Sequence, residues 1–322
     1  MKRIFKTLTA ACLVLGCGLN VVAQNIDTAR ILVPYPAGGP SDATARTFAN
    51  AMSDAGSPFI VENIGGATGL LAVNKFLVNP TGLVFQGSQN ELVLPIFINP
   101  EAKFKSEDFL PLQYVTKTHL VIVTRSKLGV KTLDDFFALA KKREADPLSY
   151  GTVGVGSLYH IMGEYLARTK QIKFTHIPYK GGAPALQDLI GGQIDFSIIP
   201  YQTSMDSMRE KGMLNIVAVF SKDPPDTLAT VERVTNYKGL ENFEFASLAG
   251  YFLKSNASEA DIAKYHSLFS KAVANNKVKT ALSADGRTVL SPMSVKAAGD
   301  IYRTEIAKYA KMLNELKDIK FN

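Results

Sequence analysis

One local pattern constrains this chain more than any other: a short apolar strand, a glycine-rich turn, then a helix opening at a small polar residue. It occurs first where Ile31-Leu32-Val33 runs into Pro34-Tyr35-Pro36-Ala37-Gly38-Gly39-Pro40-Ser41-Asp42. It occurs again in Tyr150-Gly151-Thr152-Val153-Gly154-Val155-Gly156-Ser157. Glycine has no side chain to cover the backbone N–H groups. The helix start adds unpaired donors and the positive end of the peptide dipoles. That combination suits an anion such as a carboxylate. Two copies in one chain predict a small acidic solute held between two lobes.

The rest of the chain keeps the same grammar, which predicts an α/β fold. Strands are expected at Ile31–Val33, Phe59–Val61 and Leu83–Phe85, with helices from Ser41 to Ser53 and from Gly65 to Phe76. The third strand ends in the polar run Gln86-Gly87-Ser88-Gln89-Asn90-Glu91. Two segments are too long for ordinary strands, Leu110–Val123 and Phe243–Leu253. They bracket a middle block with its own units: Ser149-Tyr150 then Ser157–Arg168, Phe174–Ile177 then Ala183–Ile190, and strands at Phe196–Ile199 and Ile216–Phe220. Two long strands around a middle block predict two crossings between lobes. The division is residues 24–123 plus 245–322 for the first lobe and 124–244 for the second. A helical tail follows, with Ser258 as a cap and Ser294–Leu316 as a long amphipathic stretch. Ligands in such sheets gather at the C-terminal ends of strands, where both glycine turns fall.

Residues 1–23 read as a secretory signal: basic Lys2, Arg3 and Lys6, an apolar Thr7–Leu19, and Val21-Val22-Ala23 before the expected mature start at Gln24. Lipidation at Cys17 and an uncleaved anchor are the alternatives. Both cysteines, Cys12 and Cys17, lie in this leader, so the mature chain has no disulfide, thiol nucleophile or zinc–thiolate site. The formal charge is +7. Three of those charges sit in the leader and the rest are interspersed with acids, which argues against a nucleic-acid surface. No Gly-x-Gly-x-x-Gly or Gly-Lys-Ser/Thr phosphate loop occurs, and His, Asp and Glu show no metal-ligand spacing. No cofactor and no metal are expected.

Individual residues carry competing readings. Ala37, Gly38 and Gly39 offer backbone donors to a carboxylate or simply form a tight turn. A bulky residue at Gly39 is expected to block closure. Ser41 or Asp42 caps the helix. Thr152, Val153, Gly154 and Ser157 form the second turn, with His160 one turn later. A Ser157/His160 pair invites a hydrolase reading, but the Gly-x-Ser-x-Gly elbow is absent, and His160 reads equally as a packed helix residue beside Glu164. Tyr179, in His176-Ile177-Pro178-Tyr179-Lys180-Gly181-Gly182, lines the cleft or packs in the core. Ser88, Asn90 and Glu91 follow a buried strand, where a site belongs. Glu91 either points away or meets a ligand amine. Apart from Arg46, no arginine falls near these turns, so neutral donors and water are expected to hold the anion.

These segments resemble the solute-binding receptors of tripartite tricarboxylate transporters, the Bug family. The markers are Val33-Pro34-Tyr35-Pro36-Ala37-Gly38-Gly39, Val61-Glu62-Asn63, Gly154-x-Gly156-Ser157-x-x-His160, and His176–Gly181 followed by Asp188-Leu189-Ile190-Gly191-Gly192-Gln193-Ile194-Asp195. The resemblance covers nearly the whole mature chain. It implies a two-lobed periplasmic-binding-protein (type II) fold, with the cleft between lobes joined by two crossing strands. It also implies a non-enzymatic periplasmic monomer that passes a small carboxylate to a membrane permease, or presents it to a signalling protein. The first-strand loop would bind one carboxylate through backbone and water, with the loops around Ser88 and Thr152–Ser157 completing the pocket. Departures from the family pattern are Ile64-Gly65 for an arginine–proline pair, Ile199 for an aspartate, Leu158 and Tyr159 for hydroxyl residues, and Glu91 near a usual threonine or serine. They predict a more apolar second lobe and favour a monocarboxylate, an aromatic acid or an amino-bearing acid at least as much as citrate.

Overall fold

The computed structural model describes residues 29–79, 82–319 and 321, so the leader with Cys12 and Cys17 lies outside the described residues. The chain begins with parallel βαβ units. Strand β1 (Arg30–Val33) is joined through α1 (Pro40–Asp54) to β2 (Ile60–Asn63), and then through α2 (Leu70–Val78) to β3 (Leu83–Gly87). Strand β1 pairs in parallel with both β2 and β3, and the helices supply the crossovers that parallel pairing requires. The polar run after the third strand is not simply a loop. Strand β3 continues through Gly87, and Ser88 opens a short helix, α3 (Gln89–Leu92), followed by α4 (Leu94–Ile98). The Ser88 hydroxyl accepts the Asn90 N–H, and the Glu91 carboxylate returns to the Ser88 N–H, a reciprocal cap.

Strand β4 (Phe109–Arg125) spans 17 residues and belongs to both halves of the molecule. In the second half, α5 (Leu133–Lys142) is a helix that the spacing of apolar residues did not single out. Thr132 and Asp135 form its capping box, a legible start signal. Then come β5 (Leu148–Thr152), α6 (Leu158–Lys170), β6 (Phe174–Pro178), α7 (Gly182–Gly191) and β7 (Phe196–Pro200). Helix α8 (Ser204–Glu210), β8 (Leu214–Val219) and the short β9 (Glu232–Arg233) complete that half. The return strand is β10 (Ala246–Lys254), followed by α9 (Glu259–Ala274), α10 (Asn276–Ser283), β11 (Thr288–Val289) and α11 (Val295–Glu315).

The sheet order is β2-β1-β3-β10-β4-β7-β5-β6, with β8 and β11 also on β4. Residues 109–119 of β4 pair antiparallel with β10, from Phe109 opposite Lys254 to His119 opposite Ala246. Residues 120–125 turn to the other half, where Leu120 faces Pro200 and Val121 faces Val219. The Phe245 N–H bonds the Phe220 carbonyl at 3.0 Å just before β10 begins, so the return passes beside the outward crossing. Both apolar runs read as long strands are therefore one continuous pair at the junction.

Core packing follows the same division. Phe48 on α1 is fully buried against Tyr251 and Phe269 at ring separations of 4.9 and 6.0 Å. Val121, Leu189 and Met205 fill a separate cluster in the second half. The largest cluster runs continuously from Phe85 and Tyr114 to Tyr150 and Phe196. Buried apolar area at this junction links the two halves through β4 and α11.

Candidate functional site

A cleft of about 220 Å³ opens where loops from both halves meet. On one side stand Tyr35 and the start of α1, the β3–α3 junction, and the loop before β11; on the other stand Tyr159, Pro200, Tyr201 and Gln202. The start of α1 faces the cleft through Pro40, Ser41 and Thr44. Gly39 is its cap residue, Pro40 stands in the first turn, and no side chain caps it. The first helical bond from this end is the Ala43 N–H to the Gly39 carbonyl. The Ser41 and Asp42 N–H groups have no partner among the described residues. Ser41 is held in the wall from behind: Gln86 Nε2 donates to its carbonyl at 2.7 Å, and the Tyr251 hydroxyl fixes the other end of that amide.

Asp42 is occupied with the turn itself. Its Oδ2 accepts from the Gly38 N–H and from Arg46 Nε, each at 2.9 Å. The Arg46 bond first, then the Gly38 and Asn63 bonds, hold its carboxyl below the usual range against the cost of burial. Ala37 and Gly38 are exposed on the loop, outside the cleft wall. Gly39 has an ordinary extended backbone, and a Cβ there would meet only the Pro36 carbonyl, at 3.6 Å. The backbone at Gly39 therefore admits a Cβ without a clash.

Glu91 neither points away nor lies free for a ligand. It is buried in the cleft floor with both oxygens engaged. Oε1 accepts the Tyr35 hydroxyl, and Oε2 accepts the Ser88 N–H at 2.7 Å and the Ser88 hydroxyl at 2.9 Å. Burial pushes this carboxyl up, and those three donors pull it part of the way back. The fit is close: Gly69 has φ +88°, and a Cβ on it would lie 2.7 Å from Glu91 Cγ, so the position needs glycine twice over.

The same wall holds a guanidinium that sequence spacing did not bring to the site. Arg287 lies far from the glycine turns in sequence, yet its Nη1 donates to Thr44 Oγ1 at 2.6 Å and its Nη2 pairs with Asp285 at 2.8 Å. Its side chain is only 12% exposed. The expectation of neutral donors and water did not include this cation in the cleft lining. The only local hint was the Asp285-Gly286 turn dipeptide.

The second glycine turn sits elsewhere. The Ser157 hydroxyl donates to the Gly154 carbonyl at 2.7 Å and caps the His160 N–H. His160 Nδ1 accepts from the Gly156 N–H, its Nε2 faces Glu164 at 3.8 Å, and its ring stacks on His176 at 3.7 Å. The imidazole thus makes no bond to the Ser157 hydroxyl, and the nucleophile–base pair that a hydrolase requires is not assembled. Burial lowers His160 to about 3 and His176 to about 4, so both rings are neutral. The buried Thr152 hydroxyl bonds His176 Nε2 at 2.6 Å, and Val153 packs against the core. Tyr179 donates to Asp188 at 2.8 Å. Ile199 is buried and lines a separate cavity beside α7 and α8. Of the residues singled out from sequence, Tyr35, Ser41, Ser88, Asn90 and Glu91 converge on the cleft. Thr152, Val153, Gly154, Ser157, His160, Tyr179 and Ile199 do not line it. The second half instead contributes Tyr159, one of the departures noted above, together with Tyr201. Among the described residues no cluster of His, Cys, Asp and Glu has metal-binding geometry, and no helix is long and apolar enough to cross a membrane.

Known proteins share this architecture. The family model described as the tripartite tricarboxylate transporter family receptor matches residues 44–317. The UPF0065 protein of the TAR-I ttuE–ttuC' intergenic region of Agrobacterium vitis is 31% identical over 290 residues, covering 88% of this chain and 83% of that protein. BugT of Bordetella pertussis is 26% identical, covering 89% and 88%. Among solved structures, MatC of Rhodopseudomonas palustris with bound malate superposes with a TM-score of 0.76 at 23% identity, over 88% of this chain and 98% of that one. A second R. palustris protein, solved with adipate, gives 0.75 at 22%, over 89% and 96%. The periplasmic binding protein BugD gives 0.75 at 22%, over 89% and 96%. The fold is thus the two-lobed α/β fold of periplasmic binding proteins, and the family is one of solute-binding receptors rather than enzymes. The chain belongs to the tripartite tricarboxylate transporter receptor family.

Proposed function

We propose that this chain is an extracytoplasmic receptor that captures a small organic carboxylate in the interlobe cleft and hands it to the membrane permease of a tripartite transporter. The observation that carries the reading is the uncapped start of α1 opening on a cleft lined from both halves. Its free N–H groups and aligned dipoles stabilise a carboxylate. The cleft volume lies below the roughly 300–1,000 Å³ of drug-sized ligand sites, which favours a small acid. Structural relatives solved with malate and adipate support the same class.

In this reading residues 24–123 with 245–322 form one lobe and 124–244 the other, hinged at the β4–β10 junction. Tyr35, Ser41, Ser88, Asn90 and Tyr159 contact the ligand. Ala37, Gly38, Gly39 and Asp42 shape the first turn, Glu91 positions Tyr35 and Ser88, and the Thr152–Ser157 turn supports α6 behind Tyr159. The ligand binds the closed arrangement better because both lobes touch it, which shifts the population toward closure. The mature protein acts as a periplasmic monomer after export.

A thermal-shift screen of residues 24–322 against di- and tricarboxylates, aromatic acids and amino acids tests the receptor reading. A ligand bound only by the native state raises Tm. A rise with an organic acid supports the reading. No rise with any acid, after denaturation and refolding to strip co-purified ligand, refutes it. Loss of uptake of that acid in a strain lacking the chain tests the transport role, and retained uptake points to a signalling receptor.

A further inference from the structure

Resting on the receptor reading, we propose that Arg287 is the charge-reading residue of the cleft and restricts it to monocarboxylates that carry no ammonium group. A guanidinium has five N–H donors, of which the Thr44 and Asp285 bonds use two. Arg287 lines the same cleft as Ser41, whose N–H group is free. A carboxylate placed between them gains charge-assisted bonds from both. The Thr44 and Asp285 contacts hold the guanidinium plane in place, so little side-chain entropy is lost on binding.

The charge balance around it limits what else the ligand carries. The cleft lining contains one cation, Arg287, against two acids, Glu91 and Asp285. A second carboxylate on the ligand therefore meets no further cation in the lining. An ammonium group fares no better: both Glu91 oxygens are engaged by Tyr35 and Ser88, and Asp285 is paired with Arg287 itself. What remains for the rest of the ligand is the aromatic surface of Tyr35, Tyr159 and Tyr201, which suits an aryl or alkyl group.

The arginine is also tied to the opposite lobe. The Thr203 hydroxyl donates to the Ala284 carbonyl at 3.1 Å, and Gly286 packs so closely that a Cβ would stand 2.9 Å from Tyr201 Cε1. The loop bearing Arg287 is thus seated against the second lobe, and engagement of the anion is coupled to closure.

Isothermal titration of the refolded mature protein with hexanoate, benzoate, adipate and glutamate tests this. Hexanoate or benzoate is expected to bind about tenfold or more tightly than adipate or glutamate. Arg287→Gln is expected to weaken that binding by about tenfold or more, the scale of a charge-assisted bond. Asp285→Asn, which frees the guanidinium from its counter-charge, is expected to tighten it several-fold. Tighter binding of adipate or glutamate, wild-type affinity in Arg287→Gln, or weaker binding in Asp285→Asn overturns the proposal while leaving the receptor reading intact. Binding of none of the four, with a thermal-shift hit on a di- or tricarboxylate or an amino acid, overturns it in the same way. No hit in either experiment overturns both.

Discussion

Tyr35→Phe isolates one bond beneath the cleft and makes its worth depend on pH. The substitution keeps the ring and deletes the hydroxyl that donates to Glu91 Oε1. Glu91 is 1% exposed, so the abandoned oxygen has no ready access to water. A hydrogen bond to an ionised group contributes about 1.5–3 kcal/mol; because Tyr35 is 38% exposed as a residue, the lower end applies, about 1.5 kcal/mol. The loss is not constant. Burial raises the Glu91 carboxyl above its ordinary value near 4.5, and the Tyr35 bond opposes that rise. Removing the bond raises the native-state carboxyl further and leaves the unfolded state unchanged. The native variant then holds its proton to higher pH, and its stability falls more steeply as pH rises through that window. The deficit relative to wild type is therefore full where Glu91 is ionised and shrinks as it protonates. Urea denaturation followed by far-UV circular dichroism suits a chain without tryptophan. The expected deficit is about 1.5 kcal/mol at pH 8 and smaller at pH 5. Equal deficits at the two pH values, or one below about 0.5 kcal/mol at pH 8, would refute the assignment of Tyr35 as the donor that holds Glu91.

Two further outcomes follow from the packing. Gly286 has φ +82°, and Ala there costs about 1–2 kcal/mol of backbone strain and drives its methyl into Tyr201. Ligand affinity should fall several-fold and the radius of gyration of the ligand-saturated protein, by small-angle scattering, should rise; no change in either would disprove the loop's role in closure. The His160–His176 stack protonates near 6.5 when unfolded but only near 3 and 4 when folded. The unfolded state thus binds more protons in between, so this stability is complete above pH 6.5 and is lost as pH falls, by up to about 2 kcal/mol per histidine at pH 5. Glu91 titrates with the opposite sign, so the test compares His160→Gln with wild type: the variant should lose less stability between pH 7 and pH 5, and an equal loss would count against neutral native histidines.

Much of the scaffold was legible because its signals are local. Strand, glycine turn and cap lie within a few residues of one another, and the long β4 announces itself as an unbroken extended run. The starts at Ser157, Ser258 and Ser294 are capped as their spacing implies. Helix α5 carried the same signal in Thr132 and Asp135. The second glycine turn shows the limit of such reading. Its resemblance to the first is real in backbone terms, yet its donors and hydroxyls are consumed within the turn and by His160 and His176.

By itself, then, the sequence determined the alternation of strands and helices, the two crossings and the family to which the motifs belong. Those features depend on periodicity, capping and backbone freedom, which act over a few residues. Tertiary structure decided the chemistry of the cleft. It brought Arg287 to Thr44 across 243 positions of chain, closed both Glu91 oxygens with Tyr35 and Ser88, and placed Tyr159 and Tyr201 where the second glycine turn was expected. A guanidinium in an exposed-looking turn and a carboxylate after a strand carry no local sign of what they will meet. Their charge becomes a binding property only once folding sets the distance and the dielectric between them.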